Sequence, residues 1–265
     1  MATLVCFHAH PDDECIQTGG VMRKAADEGH RVVLVVATKG EHGEVDDGVL
    51  SDGESLGERR VDETMAAADI LGAERVEFLG YVDSGMIGTP ENDLPESFWR
   101  ADVEEAAERL AAILRDVDAH VLTIYDDYGG YGHPDHIQVH RVGHRAGELA
   151  GTPRVYEVTM NRDELVRGME LMRDQAEAAG LEPPDAANDP DFGKPESVIT
   201  ARVDVSQYAD CKRLAMKAHA SQIGDQSFFL QMPDEPFRFF FGIEWFIRAG
   251  QGPGITETDL MHDLP

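Results

Sequence analysis

Short apolar runs alternate with segments of helical periodicity along most of this chain, and that alternation constrains the fold more than any other feature. The predicted strands are Thr3–Phe7, Arg31–Thr38, Arg75–Leu79, Val121–Tyr125, Arg154–Met160 and Val198–Val205. The predicted helices are Ile16–Glu28, Leu56–Leu71, Ala101–Val117, His136–Ala150, Asp163–Ala179 and Ser206–Gln222. Strands joined through helices run parallel, and continuously apolar strands are covered on both faces. We therefore predict a doubly wound α/β fold: a mostly parallel, Rossmann-like sheet between two helical layers.

The length of 265 residues fits a single domain with a large core. We predict that this domain covers residues 1–250. Within it, residues 180–196 are predicted to form an acidic, proline-rich excursion. Residues 225–250 form an aromatic segment, interpreted as additional core or a subunit interface in preference to a substrate wall. Residues 251–265 are expected to be a frayed tail.

The composition limits the partners that the protein can bind and the cellular compartment that we expect for it. The chain has 51 acidic and 23 basic residues, a net charge of −28 that disfavours nucleic acid and anionic membranes as partners. Its three cysteines form no CxxC pair, which argues against a disulfide framework and for a reducing cytoplasm. No signal peptide is visible, and no apolar run approaches the ~20 residues of a membrane helix. We expect a cytoplasmic protein with a small-molecule substrate, with homo-oligomerisation left open.

The tripeptide His-Pro-Asp occurs twice, at residues 10–12 and 133–135, each time just after a predicted strand. Both copies should therefore lie at the carboxyl edge of the sheet, where α/β folds bind their ligands. A proline in second place suits a helix start, so His10 and His133 are predicted near helix N-caps. Asp13 and His136 then fall in the first turns, on the same face as these histidines. The two polar side chains of each copy should therefore point into the same region.

These residue types predict a metal centre assembled from both copies. Zinc is bound by histidine nitrogen and aspartate oxygen, and a catalytic site keeps three protein ligands plus water. We assign His10, Asp13 and His136 as the zinc ligands, with iron(II) as an alternative for the same donors. Asp12 is left beside the metal, where a carboxylate can take a proton from the attacking water.

The second copy offers further polar groups. His133, with Asp135 two residues on, is predicted to stabilise an oxyanion or to protonate a leaving amine. His136, His140 and His144 form an i, i+4, i+8 stripe on one predicted helix. That stripe permits a second metal face, but packing or surface positions are the favoured interpretation for His140 and His144.

The two motifs, Ala9–Glu14 (AHPDDE) and Gly129–His136 (GGYGHPDH), resemble the signatures of the LmbE-like, PIG-L family of zinc-dependent N-acetylglucosaminyl deacetylases. The resemblance covers roughly residues 3–160 well and the remainder loosely. It implies the same zinc ligands and the same base, and it implies that Tyr131 is a mobile tyrosine near the substrate carbonyl. Through weaker matches it implies that Arg60, in an RxxE pair, and Asp83, in a DSGM loop, bind the sugar.

The resemblance implies a hydrolase that removes the N-acetyl group from an N-acetylglucosamine-type glycoconjugate. The alternatives within the family are a mycothiol S-conjugate amidase and a deacetylase of another amino-sugar conjugate or antibiotic. The amidases usually carry a lysine shortly after HPDDE, and Cys15–Gly20 contains none, so the amidase is disfavoured.

Other classes of protein are also open. A cysteine hydrolase could use Cys15, because a helix N-terminus lowers a thiol pKa. A non-catalytic sugar-binding module would need neither Asp12 nor His133. A dinucleotide-binding enzyme would need a GxGxxG motif after the first strand, and the chain has HAHPDDE there.

Overall fold

The computed structural model describes residues 1–46, 48–168 and 192–264. The strands are β1 (Thr3–His8), β2 (Arg31–Val36), β3 (Arg75–Phe78), β4 (Val121–Tyr125), β5 (Arg154–Thr159), β6 (Ala201–Asp204) and β7 (Ile243–Arg248). The helices are α1 (Asp13–Gln17), α2 (Gly19–Asp27), α3 (Leu56–Leu71), α4 (Val103–Asp116), α5 (Pro134–Ala150), α6 (Ala209–Ala218), α7 (Phe228–Gln231) and α8 (Asp234–Phe241). In the described ranges, no helix carries an apolar stretch long enough to cross a bilayer.

The strands form one seven-stranded sheet in the order β3-β2-β1-β4-β5-β7-β6. Strands β1 to β5 run parallel, whereas β7 is antiparallel to both of its neighbours. The predicted mostly parallel α/β sheet is confirmed. From β1 the strand order runs outward to β2 and β3 on one side and to β4 and β5 on the other. This switch between β1 and β4 creates a crevice at their carboxyl ends. That crevice lies where both His-Pro-Asp copies follow their strands.

The core sits on the central strands, whose residues are buried throughout β1 and β4. Helices α2, α3 and α6 pack together as one group, and α4 packs against α5 as another. Strand β1 contacts both groups, through α2 and α5. The continuously apolar strands are thus explained by helices on both faces.

The aromatic segment contributes β7, a strand that the sequence analysis did not predict. Glu244 in β7 reaches across to the start of α2, where it accepts hydrogen bonds from the backbone N–H groups of Gly20 (2.7 Å) and Val21 (2.8 Å). Lys212 of α6 donates to the same carboxylate at 2.6 Å, and both side chains of this pair are almost completely buried. The C-terminal part of the chain is therefore anchored to the helix that follows the first motif.

Two helix predictions differ from the structure by more than two residues at an end or by a break. The helix predicted over Ile16–Glu28 is broken at Thr18, whose hydroxyl lies 2.8 Å from His8 Nε2, and it divides into α1 and α2. The helix predicted over Ser206–Gln222 begins as a 3-10 turn and ends at Ala218. Of the predicted helix Asp163–Ala179, the structure describes helical residues up to 168, and most of the 180–196 excursion lies outside the described residues.

The predicted frayed tail is wrong for the residues that the structure describes. Glu257 forms an ion pair with Arg248 at 2.6 Å, and its carbonyl accepts a hydrogen bond from the backbone N–H of Arg202 at 2.9 Å. Leu260 and Met261 are buried against the core. Apolar burial and these polar contacts hold the tail in place. The Gly and Pro residues of the tail had suggested disorder, and the sequence gives no sign of these contacts.

Candidate active site

The two His-Pro-Asp copies meet at the carboxyl ends of the neighbouring strands β1 and β4. His10 packs against both histidines of the second copy, with ring centroids 4.6 Å from His133 and 5.3 Å from His136. All three rings are buried. The structure therefore brings together residues that are more than a hundred positions apart, as the sequence analysis predicted.

The three predicted metal ligands lie around a single carboxylate oxygen. Asp13 Oδ2 is 3.3 Å from His10 Nδ1 and 3.4 Å from His136 Nε2. Burial alone would raise the pKa of Asp13, but the neighbouring His136 and His10 hold that pKa well below its usual value. The aspartate is therefore available as an anionic ligand.

His136 shows most directly that a cation fits here. Its Nδ1 lies 3.1 Å from the carbonyl oxygen of Gly129, which can only accept, so Nδ1 carries the proton and Nε2 bears the lone pair. Nε2 is buried and has no hydrogen-bond partner in the described part of the chain. It lies 3.4 Å from Asp13 Oδ2, and either a second proton on the ring or a metal ion would join the two atoms. A remote N–H bonded to a carbonyl is typical of metal-binding histidines, which favours the metal ion.

Asp135 lies behind His10 and has no exposed surface. Its Oδ2 is 3.1 Å from His10 Nε2 and accepts a hydrogen bond from the backbone N–H of Ser84 at 2.9 Å, while the Ser84 hydroxyl donates to Oδ1. Only its backbone N–H contacts His133, at Nδ1. Asp135 was grouped with His133 in the sequence, but its side chain is placed to orient His10.

The first His-Pro-Asp copy does not begin a helix at its proline, and that prediction is wrong. Helix α1 starts only at Asp13, and its N-cap is Asp12, with φ 88° in the left-handed region. The second copy follows the prediction, with His133 as N-cap and Pro134 as the first residue of α5. A left-handed aspartate is strained and persists only where its surroundings hold it.

Buried polar contacts hold Asp12 in this conformation. Its backbone N–H donates to Glu14 Oε2 at 2.9 Å, and Glu14 Oε1 lies 2.6 Å from Nε2 of His219. Glu14 and His219 are fully buried. Burial raises the pKa of the Asp12 carboxyl to about 6, with Arg60 opposing the shift. The carboxylate is thus poised to exchange a proton near neutral pH.

Arg60 and Asp83 are the two residues that the family resemblance assigns to sugar binding. Both lie at the edge of a cavity described below, and both are already hydrogen-bonded within the protein. Arg60 donates to the carbonyl oxygens of Pro11 (2.5 Å) and Gly40 (2.9 Å), and its Nη2 lies 3.2 Å from Asp12 Oδ2. Asp83 accepts from the backbone N–H of Gly85 at 2.8 Å and lies 3.5 Å from His10 Nε2. Burial opposes ionisation of Asp83, but His10 holds its pKa well below the usual value.

A cavity of about 500 Å³ is lined by two of the three predicted metal ligands, His10 and Asp13. Tyr131 borders it and is 41% exposed, which leaves its hydroxyl accessible. Burial, followed by His10 and His136, lowers the pKa of His133 to about 3, so this imidazole is neutral. Its Nδ1 accepts the Asp135 N–H at 3.2 Å, which places the remaining proton on Nε2. The cavity is lined by His10, Asp12, Asp13, His42, Gly43, Glu44, Arg60, Asp83, Gly85, Met86, Thr89, Glu91, Tyr131 and His133.

Several supporting residues were missed by the sequence analysis. The Tyr125 ring stacks on His136 with centroids 4.3 Å apart at 14°, and its hydroxyl lies 2.9 Å from His8 Nδ1. Ser84 and His219 lie outside the two motifs and Glu14 ends the first one; Ser84 contacts Asp135, and Glu14 links His219 to Asp12. Ser84 and Glu14 stand beside recognised residues, whereas nothing in the sequence links His219 to residue 14.

The environment of Cys15 argues against a cysteine nucleophile. The thiol is buried and donates to the backbone carbonyl of Asp12 at 2.9 Å. Burial, followed by Glu14 and Asp12, raises the pKa of Cys15 well above its usual value. A thiol that stays protonated and has no access to the cavity is not reactive.

A protein-family model described as PIG-L, GlcNAc-PI de-N-acetylase, matches residues 5–146, which is more than half of the chain. The chain belongs to this family. It is 42% identical, over 281 aligned positions, to the 1D-myo-inositol 2-acetamido-2-deoxy-alpha-D-glucopyranoside deacetylase of Nocardiopsis dassonvillei. That alignment covers 97% of this chain and 99% of the relative.

Solved structures show the same fold at lower identity. The N,N'-diacetylchitobiose deacetylase of Pyrococcus horikoshii is 24% identical, with a TM-score of 0.58 over 93% of this chain and 83% of that one. The 4-carboxy-2-hydroxymuconate hydratase of Pseudomonas putida is 20% identical, with a TM-score of 0.57 over 95% and 97% of the two chains. Since a hydratase shares it, the fold alone does not specify deacetylation.

Proposed function

We propose that this chain is a zinc-dependent hydrolase that removes the N-acetyl group from an N-acetylglucosamine-type glycoconjugate. The observation that carries the proposal is the convergence of His10 and His136 on one oxygen of Asp13, with His136 Nε2 lacking a hydrogen-bond partner in the described residues. His10 completes a His₂Asp donor set, and iron(II) is an alternative occupant. The deacetylase relative, similar along almost its whole length, supports the reaction class.

The chain's own residues supply the proton transfers of amide hydrolysis. A bound zinc ion would polarise the acetyl carbonyl and lower the pKa of a water ligand toward ~7. Asp12 accepts a proton from the attacking water, for which its raised pKa suits it. The same carboxyl can then return the proton to the departing amine nitrogen. Acetate and a free amine are the products.

His133 and Tyr131 act on the carbonyl side of the reaction. With Nδ1 occupied by the Asp135 N–H, His133 presents an Nε2–H donor to the carbonyl oxygen as negative charge develops there. This neutral tautomer favours oxyanion stabilisation over protonation of the leaving amine, the two roles left open by the sequence. Tyr131, exposed at the cavity edge, can add a second donor from its hydroxyl.

The favoured substrate is the inositol glycoside of N-acetylglucosamine, because the Nocardiopsis dassonvillei relative named for that substrate aligns with 97% of this chain at 42% identity. Arg60 and Asp83 border the same cavity and are proposed to position sugar hydroxyls. A cytoplasmic location and a homo-oligomeric assembly stay predictions from the sequence.

A substrate panel tests this proposal. The chain is incubated with N-acetylglucosamine, its inositol glycoside, N,N'-diacetylchitobiose and a mycothiol-type thiol conjugate, and both acetate and free amine are measured. We expect equal amounts of acetate and amine from the inositol glycoside, and loss of both with a chelator. Amine release without acetate from the thiol conjugate would indicate an amidase. Turnover that survives complete removal of divalent metal would contradict the proposed chemistry.

A further inference from the structure

A second group of metal-binding side chains lies on α5 and β5, and none of its members lines the cavity. His140 and His144 are one helical turn apart, with ring centroids separated by 4.6 Å. Glu157 lies beneath them on β5, with Oε1 2.7 Å from His144 Nε2. One ligand atom from each of the three residues lies within 4.8 Å of the others. We propose that His140, His144 and Glu157 form a second divalent-metal site, suited to zinc or a similar transition ion.

The position of Glu157 points to a missing positive charge. It lies on an interior strand, opposite Ile124 of β4, and its side chain is only 17% exposed. In the described part of the chain its ion pairs are with His144 and, at 3.8 Å, with His140, and neither lysine nor arginine joins them. A half-buried carboxylate loses hydration that a full charge must replace. A divalent ion bound between the three side chains would supply such a charge.

The spacing and chemistry of the cluster suit a tetrahedral ion. Zinc bonds of ~2.0–2.2 Å place neighbouring ligand atoms roughly 3.4 Å apart. His144 Nε2 and Glu157 Oε1 are 2.7 Å apart and all three ligand atoms lie within 4.8 Å, so small side-chain movements would admit the ion. Two imidazoles and a carboxylate form one of the usual zinc donor sets. The three side chains are partly exposed, so water can reach the remaining position.

His140 carries the same orienting contact as the proposed catalytic ligand His136. Its Nδ1 lies 3.0 Å from the carbonyl oxygen of Tyr125 and 3.8 Å from Glu157 Oε1. If Nδ1 donates its proton to Tyr125, Nε2 bears the lone pair, and the ring must shift for Nε2 to meet an ion held by Glu157. His136, four residues before His140 on α5, has the same arrangement with the carbonyl oxygen of Gly129. A backbone carbonyl that fixes the tautomer in this way is typical of metal-binding histidines.

The two sites share a neighbour but no ligand. Tyr125 stacks its ring on His136 and accepts the His140 N–H with its carbonyl oxygen. The second site lies one to two turns further along α5 than His136. Loss of either set of ligands can therefore be measured separately by counting bound ions.

The test is zinc binding to the full chain, by equilibrium dialysis with elemental analysis at physiological salt. We expect two equivalents in the wild type, one in H140A/H144A, and one in H10A/H136A. H30A/H120A is the matched control, because it also removes two partly buried histidines that accept backbone hydrogen bonds, and it should keep two. E157Q, which preserves shape, should weaken the second equivalent at least tenfold.

The outcomes separate this site from the proposed active site. If H140A/H144A binds as much zinc as the wild type while H10A/H136A binds one equivalent less, the second site is refuted and the deacetylase centre stands. If the wild type binds one equivalent that only H140A/H144A loses, the second site stands and the proposed catalytic metal fails. Circular dichroism checks that each variant is folded, and E157Q decides the question if H140A/H144A is not.

Discussion

The two His-Pro-Asp copies have identical sequences but different backbone conformations. In the second copy, Pro134 opens a 17-residue helix and His133 caps it, as sequence rules predict. In the first copy, the helix begins two residues after the proline and lasts five residues, and Asp12 stands in the left-handed region. A shared tripeptide therefore does not ensure a shared backbone.

The third residue of each copy consequently serves a different purpose. Asp12 faces the cavity beside Arg60, whereas Asp135 is buried behind His10. Residues outside the copies produce this difference. Glu14 and His219 hold the first aspartate, and Ser84 holds the second. The comparison indicates one proton-transferring carboxylate and one orienting carboxylate from the same motif.

The largest expected effect is the loss of the metal ion that the two copies are proposed to bind together. Both donate to one proposed ion, so His10→Ala and His136→Ala should each remove one equivalent of zinc and reduce turnover to background. Elemental analysis after gel filtration, together with acetate release, measures both. Either variant keeping its full zinc content would show that the two copies do not hold a common ion.

The next effect separates the two aspartates. Asp12→Asn should lower kcat by ~10²–10⁴-fold, the usual contribution of a general base, while zinc binding is retained. The amide keeps the shape of the side chain but cannot accept the proton. Steady-state kinetics on the zinc-loaded variant provide the measurement, and a loss smaller than tenfold would remove Asp12 from the mechanism.

Asp135→Asn should act through His10, lowering zinc affinity or activity by ~10–100-fold, as is usual for a residue that orients a ligand. Ser84→Ala keeps the carboxylate and should cost less. Competition with a chelating dye gives the zinc affinity. If Asp135→Asn keeps normal zinc affinity and loses as much kcat as Asp12→Asn, then Asp135 takes part directly in the chemistry and the contrast between the aspartates fails.

The smallest effect tests the remote support of the first copy. His219→Ala leaves the buried Glu14 carboxylate without its partner and should lower the free energy of unfolding by ~1–3 kcal/mol. His262→Ala is the control, since that histidine is mostly exposed and should change stability by less than ~0.5 kcal/mol. Urea denaturation measures both. Equal stabilities for the two variants would show that His219 does not support the motif.

Much of the fold was predictable because it depends on local signals. Helix α3 has its predicted bounds, with Ser55 and Glu58 forming a capping box at its start. Strand β4 also matches, and the apolar runs placed both motifs at the correct sheet edge. Periodicity and capping are properties of neighbouring residues, so a sequence displays them.

The unpredicted features depend on contacts between distant parts of the chain. Strand β7 lies in a segment so rich in phenylalanine that no alternation marks it, and its place beside β5 is set by packing. Asp12 is linked to His219 through Glu14, and the partner of Asp135 is Ser84, on a different loop. No spacing rule connects such pairs, so the roles of the motif residues were easier to predict than their supports.

The clamp that Glu244 places on the start of α2 has a consequence for how short a working version of this chain can be. The match to the family model ends at residue 146, yet Lys212 and Glu244, which lie well beyond it, hold the segment just behind the first motif. A truncated protein ending after α5 would keep His10, Asp13 and His136, the three proposed ligands of the active site, and would lose these contacts. We therefore expect a working version to need most of the chain, although the proposed catalytic residues all precede residue 137.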